Sequence, residues 1–167
     1  VRALLGVHCA RCCLGQRDGV KRQQEVEKRI EATGAHVVVM GGGDTGSDCV
    51  RTGLGQQAAS VATLAIGKRP QMTRGANDPW HTTPKVFEVS SSNEEGGERD
   101  FLASTVEFLS DDQGHVRALR VAETEYLPDG SRRPAPGTER ELPADLVLIA
   151  MGFSGTESET LEAQLQV

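Results

Sequence analysis

The stretch Ala35-His36-Val37-Val38-Val39-Met40-Gly41-Gly42-Gly43-Asp44-Thr45-Gly46 governs the reading of the whole chain. Its first half is a short, β-branched apolar run, the pattern of a strand covered on both faces. Its second half fits G-x-G-x-x-G, with Gly41, Gly43 and Gly46 at the three required positions and Gly42 between the first two. In such a turn the first glycine lets the chain leave the strand tightly. The second lets backbone approach a pyrophosphate, and the third lets the following helix pack closely on the sheet. Phosphates then rest on free N–H groups at the positive end of that helix. A chain with 19 glycines can match the pattern by chance, as a purely structural turn. The context separates the two readings: Asp44 to Gln57 has helical length and composition, and Ser60 to Ile66 (SVATLAI) is a second apolar strand. Strand, glycine turn, helix and strand together predict a dinucleotide-binding unit.

The end of the second strand bears on which dinucleotide. About 20 residues beyond the glycines an acid binds the 2′-hydroxyl of NAD, whereas a basic residue accommodates the 2′-phosphate of NADP. Leu64 to Arg69 contains no carboxylate, and Lys68, Arg69 and Arg74 supply positive charge. This predicts NADPH over NADH, the alternative being that the three cations simply solvate a loop.

Working outward, residues 67 to 98 carry Gly67, Pro70, Gly75, Pro79, Pro84 and Gly96-Gly97, and read as a long irregular excursion of the kind that is usually functional. Asp100 to Leu109 and His115 to Leu127 read as antiparallel strands joined at Asp111 to Gly114. Ala144 to Met151 (ADLVLIAM) is a further buried-type strand. The expected fold is α/β, a Rossmann-like three-layer domain: a small parallel sheet from 36 to 40, 61 to 66 and 145 to 150, helix 44 to 57 on one side, and an antiparallel meander from 100 to 127 on the other. Residues 1–34 read as a linker with a short helix over Lys21 to Ala32, 35–157 as the nucleotide-binding domain, and 158–167 as a polar tail.

Composition excludes several classes. The chain has 167 residues, 24 acidic and 18 basic, with 37% apolar and 4% aromatic content. That suits one domain with an aliphatic core. No apolar run approaches the ~18 residues of a membrane span, and Val1 to Leu14 lacks the continuous apolar region of a secretory signal, so no membrane association and a cytoplasmic setting are expected. Net charge of −6 with dispersed basic residues argues against nucleic acid. Cys9, Cys12 and Cys13 form one C-x-x-C-C knuckle, and Cys49 stands apart. A closed zinc site needs a second pair, so the cysteines read as small apolar fillers and no metal site is expected, with a cysteine-based metal or redox sensor as the lesser alternative. His36 reads as an edge histidine. Trp80 and His81 belong to no recognisable triad, and Glu94, Glu95 and Glu98 to a solvated turn. No catalytic acid, base or nucleophile is expected, which is compatible with hydride transfer carried by a cofactor.

The segments HVVVMGGGDTGSDCV (His36 to Val50), DPWHTTPKVFEVSSSNEEGGERDF (Asp78 to Phe101) and ELPADLVLIAMGFSGTE (Glu141 to Glu157) resemble the small (beta) subunit of bacterial glutamate synthase. A fainter likeness covers Gly6-Val7-His8, Ala10 and Leu14. The resemblance implies the NADPH-binding portion of a pyridine nucleotide:disulfide oxidoreductase-like fold. It implies that Gly41, Gly43 and Gly46 cradle the pyrophosphate, that Asp44 and Thr45 line the helix start, and that Ala150-Met151-Gly152 form the hinge returning towards an FAD domain. In the family, NADPH reduces FAD, and iron–sulfur clusters pass electrons to the large subunit, where glutamine and 2-oxoglutarate become glutamate. The flavin-binding and cluster-binding motifs of that family are absent from this sequence, so the chain reads as the middle of a larger protein, with the glutamate synthase large subunit or a chain supplying the FAD domain as the expected partner. The alternative is a remnant or nucleotide-binding module without redox activity.

Overall fold

The computed structural model describes residues 4–22, 29–75, 80–81, 86–87, 89, 94–152, 155 and 164–165. Among them, the elements in chain order are β1 (Val7–Cys9), α1 (Ala10–Lys21), β2 (His36–Met40), α2 (Asp44–Gly55), β3 (Ser60–Ala65), β4 (Glu98–Phe101), β5 (Ala103–Ser110), β6 (Val116–Tyr126), β7 (Arg132–Pro134), β8 (Arg140–Pro143) and β9 (Leu146–Ile149). Strands β1, β9, β2, β3 and β4 lie side by side in that order, all parallel. The remaining four build an antiparallel sheet around the long β6, with β5 on one edge and β7 and β8 along the other.

Side-chain alternation in β2 divides the core into two layers. Val37 and Val39 point to one face and join Ala10 and Cys13 of α1, Cys49 and Val50 of α2, and Val61, Leu146 and Leu148 from neighbouring strands. Val38 and Met40 point to the other and join Leu64, Val147 and the antiparallel-sheet residues Val116, Leu119 and Val121. A β-branched run buried on both faces is what a central parallel strand requires. The result is the anticipated three-layer α/β arrangement, with helices on one side of the parallel sheet and the antiparallel sheet on the other.

Three local expectations need correcting. The helix expected over Lys21 to Ala32 is instead α1, which ends at Lys21, and residues 29–32 are non-helical while 23–28 lie outside the described residues. The amino-terminal segment is also more than a connector, because β1 pairs with β9 and α1 packs against the core. The reason is that cysteine serves as a small hydrophobe here: Ala10, Cys13 and the half-buried Leu14 supply the apolar stripe that a reading based on charge density misses. Third, Asp100 to Leu109 is not one strand. Leu102, at φ 55°, turns the chain out of β4 in the parallel sheet and into β5 in the antiparallel one. Much of the excursion between 67 and 98, and most of the tail after 152, lies outside the described residues.

The stretch 29–35 is tied down by glutamines. The Ile30 N–H donates to Gln16 Oε1 at 2.8 Å and the Ala32 N–H to Gln56 Oε1 at 2.9 Å. Arg17 of α1 donates to Thr52 Oγ1 of α2 at 3.1 Å, and that hydroxyl donates to the Asp48 carbonyl, so the two helices are joined by a polar bridge as well as by packing.

Candidate functional site

Because five strands run parallel, their carboxyl ends open on one edge, the usual place for ligands in open α/β sheets. Gly41 leaves β2 there at φ 116°, and a Cβ on it would sit 2.2 Å from the Ala150 carbonyl oxygen. The Ala150 N–H in turn donates to the Met40 carbonyl at 2.8 Å, so the end of β9 closes against the glycine turn. Gly46 is equally constrained, since a Cβ there would meet the Gly41 carbonyl oxygen at 2.2 Å. Gly43 differs. It caps α2 in extended conformation, φ −85° and ψ −174°, without a side-chain cap, and nothing lies within 4 Å of where its Cβ would be. The first bond of the helix runs from the Ser47 N–H to the Gly43 carbonyl. The N–H groups of Asp44, Thr45 and Gly46 precede it and, as at any helix start, have no partner within the helix.

Beside the turn lies a cavity of about 220 Å³, bordered by Gly42, Thr63, Ala65, Phe87, Arg99 and Asp100. Thr63 is 4% exposed, and its Oγ1 is buried without a hydrogen-bond partner among the described residues. Leaving a buried hydroxyl unpaired costs on the order of 1–3 kcal/mol, so a hydroxyl next to a cavity is a waiting partner for a polar ligand group. A larger space of about 410 Å³, mostly apolar, lies between the parallel sheet and the antiparallel one, where Met40, Gly41, Leu64, Ser104, Phe108 and Met151 meet.

The three basic residues singled out in the sequence separate. The Arg69 guanidinium stacks at 4.2 Å on the ring of Phe87, which borders the smaller cavity. Lys68 leans the other way, its Nζ 5.0 Å from the Tyr126 ring. Arg74 lies over Trp80 at 5.7 Å. Arg99 joins Arg69 from β4, 5.2 Å from the same Phe87 ring, and borders the cavity itself. Sequence reading missed Arg99 and Thr63. Thr63 carried a faint signal, a polar residue inside the otherwise apolar SVATLAI; Arg99 carried none, since strand register alone brings it opposite Thr63. Met151 is exposed and borders the larger space, and Gly152 follows at φ 87°.

Other expected residues fall outside this edge. His36 sits at the opposite end of β2, its Nδ1 paired with Ser60 Oγ at 2.8 Å. Trp80 and His81 are exposed. Glu95 pairs with Arg51 at 3.2 Å, and Glu98 begins β4. Cys13 and Cys49 are buried, as the filler reading requires, but Cys9 and Cys12 are exposed. Among the described residues, no three His, Cys, Asp or Glu side chains gather as metal ligands would.

No family model matches the chain. Curated relatives do. It is 42% identical over 171 residues to a protein of Mycobacterium tuberculosis named glutamate synthase [NADPH] small chain, covering 99% of this chain and 35% of that one. This chain is homologous to one stretch of the glutamate synthase small chain. The corresponding protein of Bacillus subtilis is 37% identical over 145 residues, covering 80% of this chain and 29% of that one. The chain therefore spans about a third of the length of these small chains. Among solved structures, a thioredoxin reductase from Gloeobacter violaceus aligns with a TM-score of 0.48 at 18% identity, over 95% of this chain and 37% of that one. No helix among the described residues is long and apolar enough to cross a membrane.

Proposed function

We propose that this chain is the NADPH-binding portion of a glutamate-synthase-like flavin oxidoreductase, with residues 35–157 as the nucleotide unit and β1 and α1 completing its sheet and core. The observation that carries the reading is the contrast within the glycine turn: Gly41 and Gly46 are packed against backbone, while Gly43 faces open space at the start of α2. That is the arrangement a pyrophosphate needs, close backbone approach plus unpaired N–H groups.

In this reading Gly41, Gly42, Gly43 and Gly46 shape the turn, and the N–H groups of Asp44 and Thr45 bind phosphate oxygens. Thr63 Oγ1 finds its missing partner in the polar part of the adenosine moiety. Arg69, with Arg99 beside it, supplies the positive charge that favours a 2′-phosphate, while Lys68 and Arg74 contribute from further out. Ala150, Met151 and Gly152 carry the chain past the glycine turn, and Met151 lines the larger apolar space, which suits a flat ring held away from water. Bound NADPH supplies a hydride, to be taken up by a flavin held outside the described residues. Among the described residues, no donor set fits an iron–sulfur cluster. The flavin, the large subunit and the conversion of glutamine and 2-oxoglutarate to glutamate belong to the complete cytoplasmic assembly proposed here.

Calorimetric titration with NADPH and NADH tests the reading. NADPH should bind more tightly than NADH, and Arg69→Ala should weaken NADPH about tenfold while leaving NADH unchanged, the effect of removing one charge-assisted contact. Equal affinities for both nucleotides, unmoved by Arg69→Ala, would remove the basis for NADPH. Binding of neither would favour a module that keeps the fold without the nucleotide.

A further inference from the structure

We propose that Cys9 and Cys12 form a thiol–disulfide redox pair that exchanges electrons with small-molecule disulfides. The pair sits in a C-x-x-C arrangement at the start of a helix that follows a strand directly. Cys9 is the last residue of β1 and the cap of α1, in extended conformation at φ −65° and ψ 135°, and Cys12 stands in the first turn. The Cys12 thiol hydrogen-bonds to the Cys9 sulfur, so the two sulfurs already meet. Cβ atoms three residues apart on a helix are about 5–6 Å apart, and a small movement of the capping Cys9 brings them to the about 3.5–4.5 Å of a disulfide. Both thiols are exposed, whereas Cys13 and Cys49 are buried in the core.

The surroundings distinguish the two exposed thiols. The Cys9 sulfur receives hydrogen bonds from the backbone N–H groups of Arg11 and Cys12 and from the Cys12 thiol, with the Arg11 charge nearby, and these hold its ionisation below that of an ordinary thiol. Such contacts favour the thiolate, which is the nucleophile. Cys9 is therefore the attacking sulfur and Cys12 the resolving one. Its location adds to the case. Cys9 pairs with Ile149 of β9, and the next residue, Ala150, closes against Gly41, so the pair stands on the same open edge of the sheet as the glycine turn, with β9 between them.

The Cys9 thiolate attacks one sulfur of the small-molecule disulfide; a Cys9–sulfur bond forms, the substrate's S–S bond breaks, and one thiolate leaves and takes up a proton. Cys12 then gives its proton to solvent and attacks the Cys9 sulfur, releasing the second thiol. The protein dithiol is oxidised by two electrons, and the small-molecule disulfide is reduced to two thiols.

The test treats the reduced full chain with glutathione disulfide and follows intact mass, and it does not depend on nucleotide binding. The expected product has lost two hydrogens and retains no glutathione. Trypsin cleavage after Arg11 should leave the Cys9 and Cys12 peptides joined by a disulfide. Cys12→Ser should stop at one glutathione on Cys9, and at neutral pH iodoacetamide should label Cys9 at least tenfold faster than Cys12. Glutathione retained on the unaltered chain, a disulfide mapped to another pair, or equal labelling rates would overturn the proposal. The unaltered chain decides the question even if a variant folds poorly.

Discussion

Gly41, Gly43 and Gly46 occupy one motif yet answer to different constraints. Gly41 combines a positive φ with a carbonyl 2.2 Å from any added Cβ, and Gly46 presses on the Gly41 carbonyl. Gly41→Ala should therefore destabilise the chain by about 2 kcal/mol or more through backbone strain, read as a lowered midpoint in urea. Gly43→Ala should leave that midpoint within about 0.5 kcal/mol of the parent, since the space is open. The motif was readable because glycine spacing records backbone geometry. The distinction between its members was not, because it depends on what β9 brings from more than 100 residues away. Cysteine burial was only half readable for a similar reason. Cys49 is fully buried, and that burial pushes its thiol up to about 12 from an ordinary 9.0. Between those values the folded chain keeps a proton that the unfolded chain releases. Its stabilising effect is thus complete below pH 9 and is lost as pH rises towards 12. Denaturation measured from pH 8 to 11 should show Cys49→Ala less sensitive to alkali than the parent.

Among the elements, β2, α2, β3 and β9 followed from apolar runs bounded by glycine, and each lies within about two residues of its expected limits, the ordinary disagreement at element ends. The amino-terminal β1 and α1 did not, because three residues of strand carry too little pattern and α1 hides its apolar stripe among arginines and cysteines. The break at Leu102 was equally hidden, since nothing about leucine announces a left-handed backbone. The β5–β6 connection shows how an acidic turn works. Asp111 Oδ1 accepts from the N–H groups of Gln113 at 2.9 Å and His115 at 2.8 Å. The bond from His115, followed by the others in the turn, holds the carboxyl below its usual range. A lowered carboxylate stabilises the fold above the ordinary carboxylate range and loses that effect as pH falls through its folded value. Asp111→Ala should lower the melting temperature at pH 7, and the gap between variant and parent should narrow as the pH is brought down towards 3. A gap that stays constant would detach the turn from the carboxylate.

Among the described residues a parallel sheet is held between two helices and an antiparallel sheet, and the glycine turn, the orphan hydroxyl and the paired arginines meet at one edge. Low aromatic content and a Val/Leu core pointed to such a layer structure before any element was placed. The antiparallel sheet's role as the second cover of β2 was readable as well. The cavity beside Thr63 was not, since it arises where β3, β4 and Phe87 converge from distant parts of the chain. The measurement that bears most directly on the nucleotide reading is an amide NMR titration of the chain with NADPH. The reading predicts that the resonances of Gly42, Gly43, Asp44, Thr45 and Gly46 shift together and saturably, and that Gly43→Val abolishes these shifts while leaving the rest of the spectrum in place. A saturable titration whose shifts fall elsewhere, or none at all on a folded chain, would contradict it.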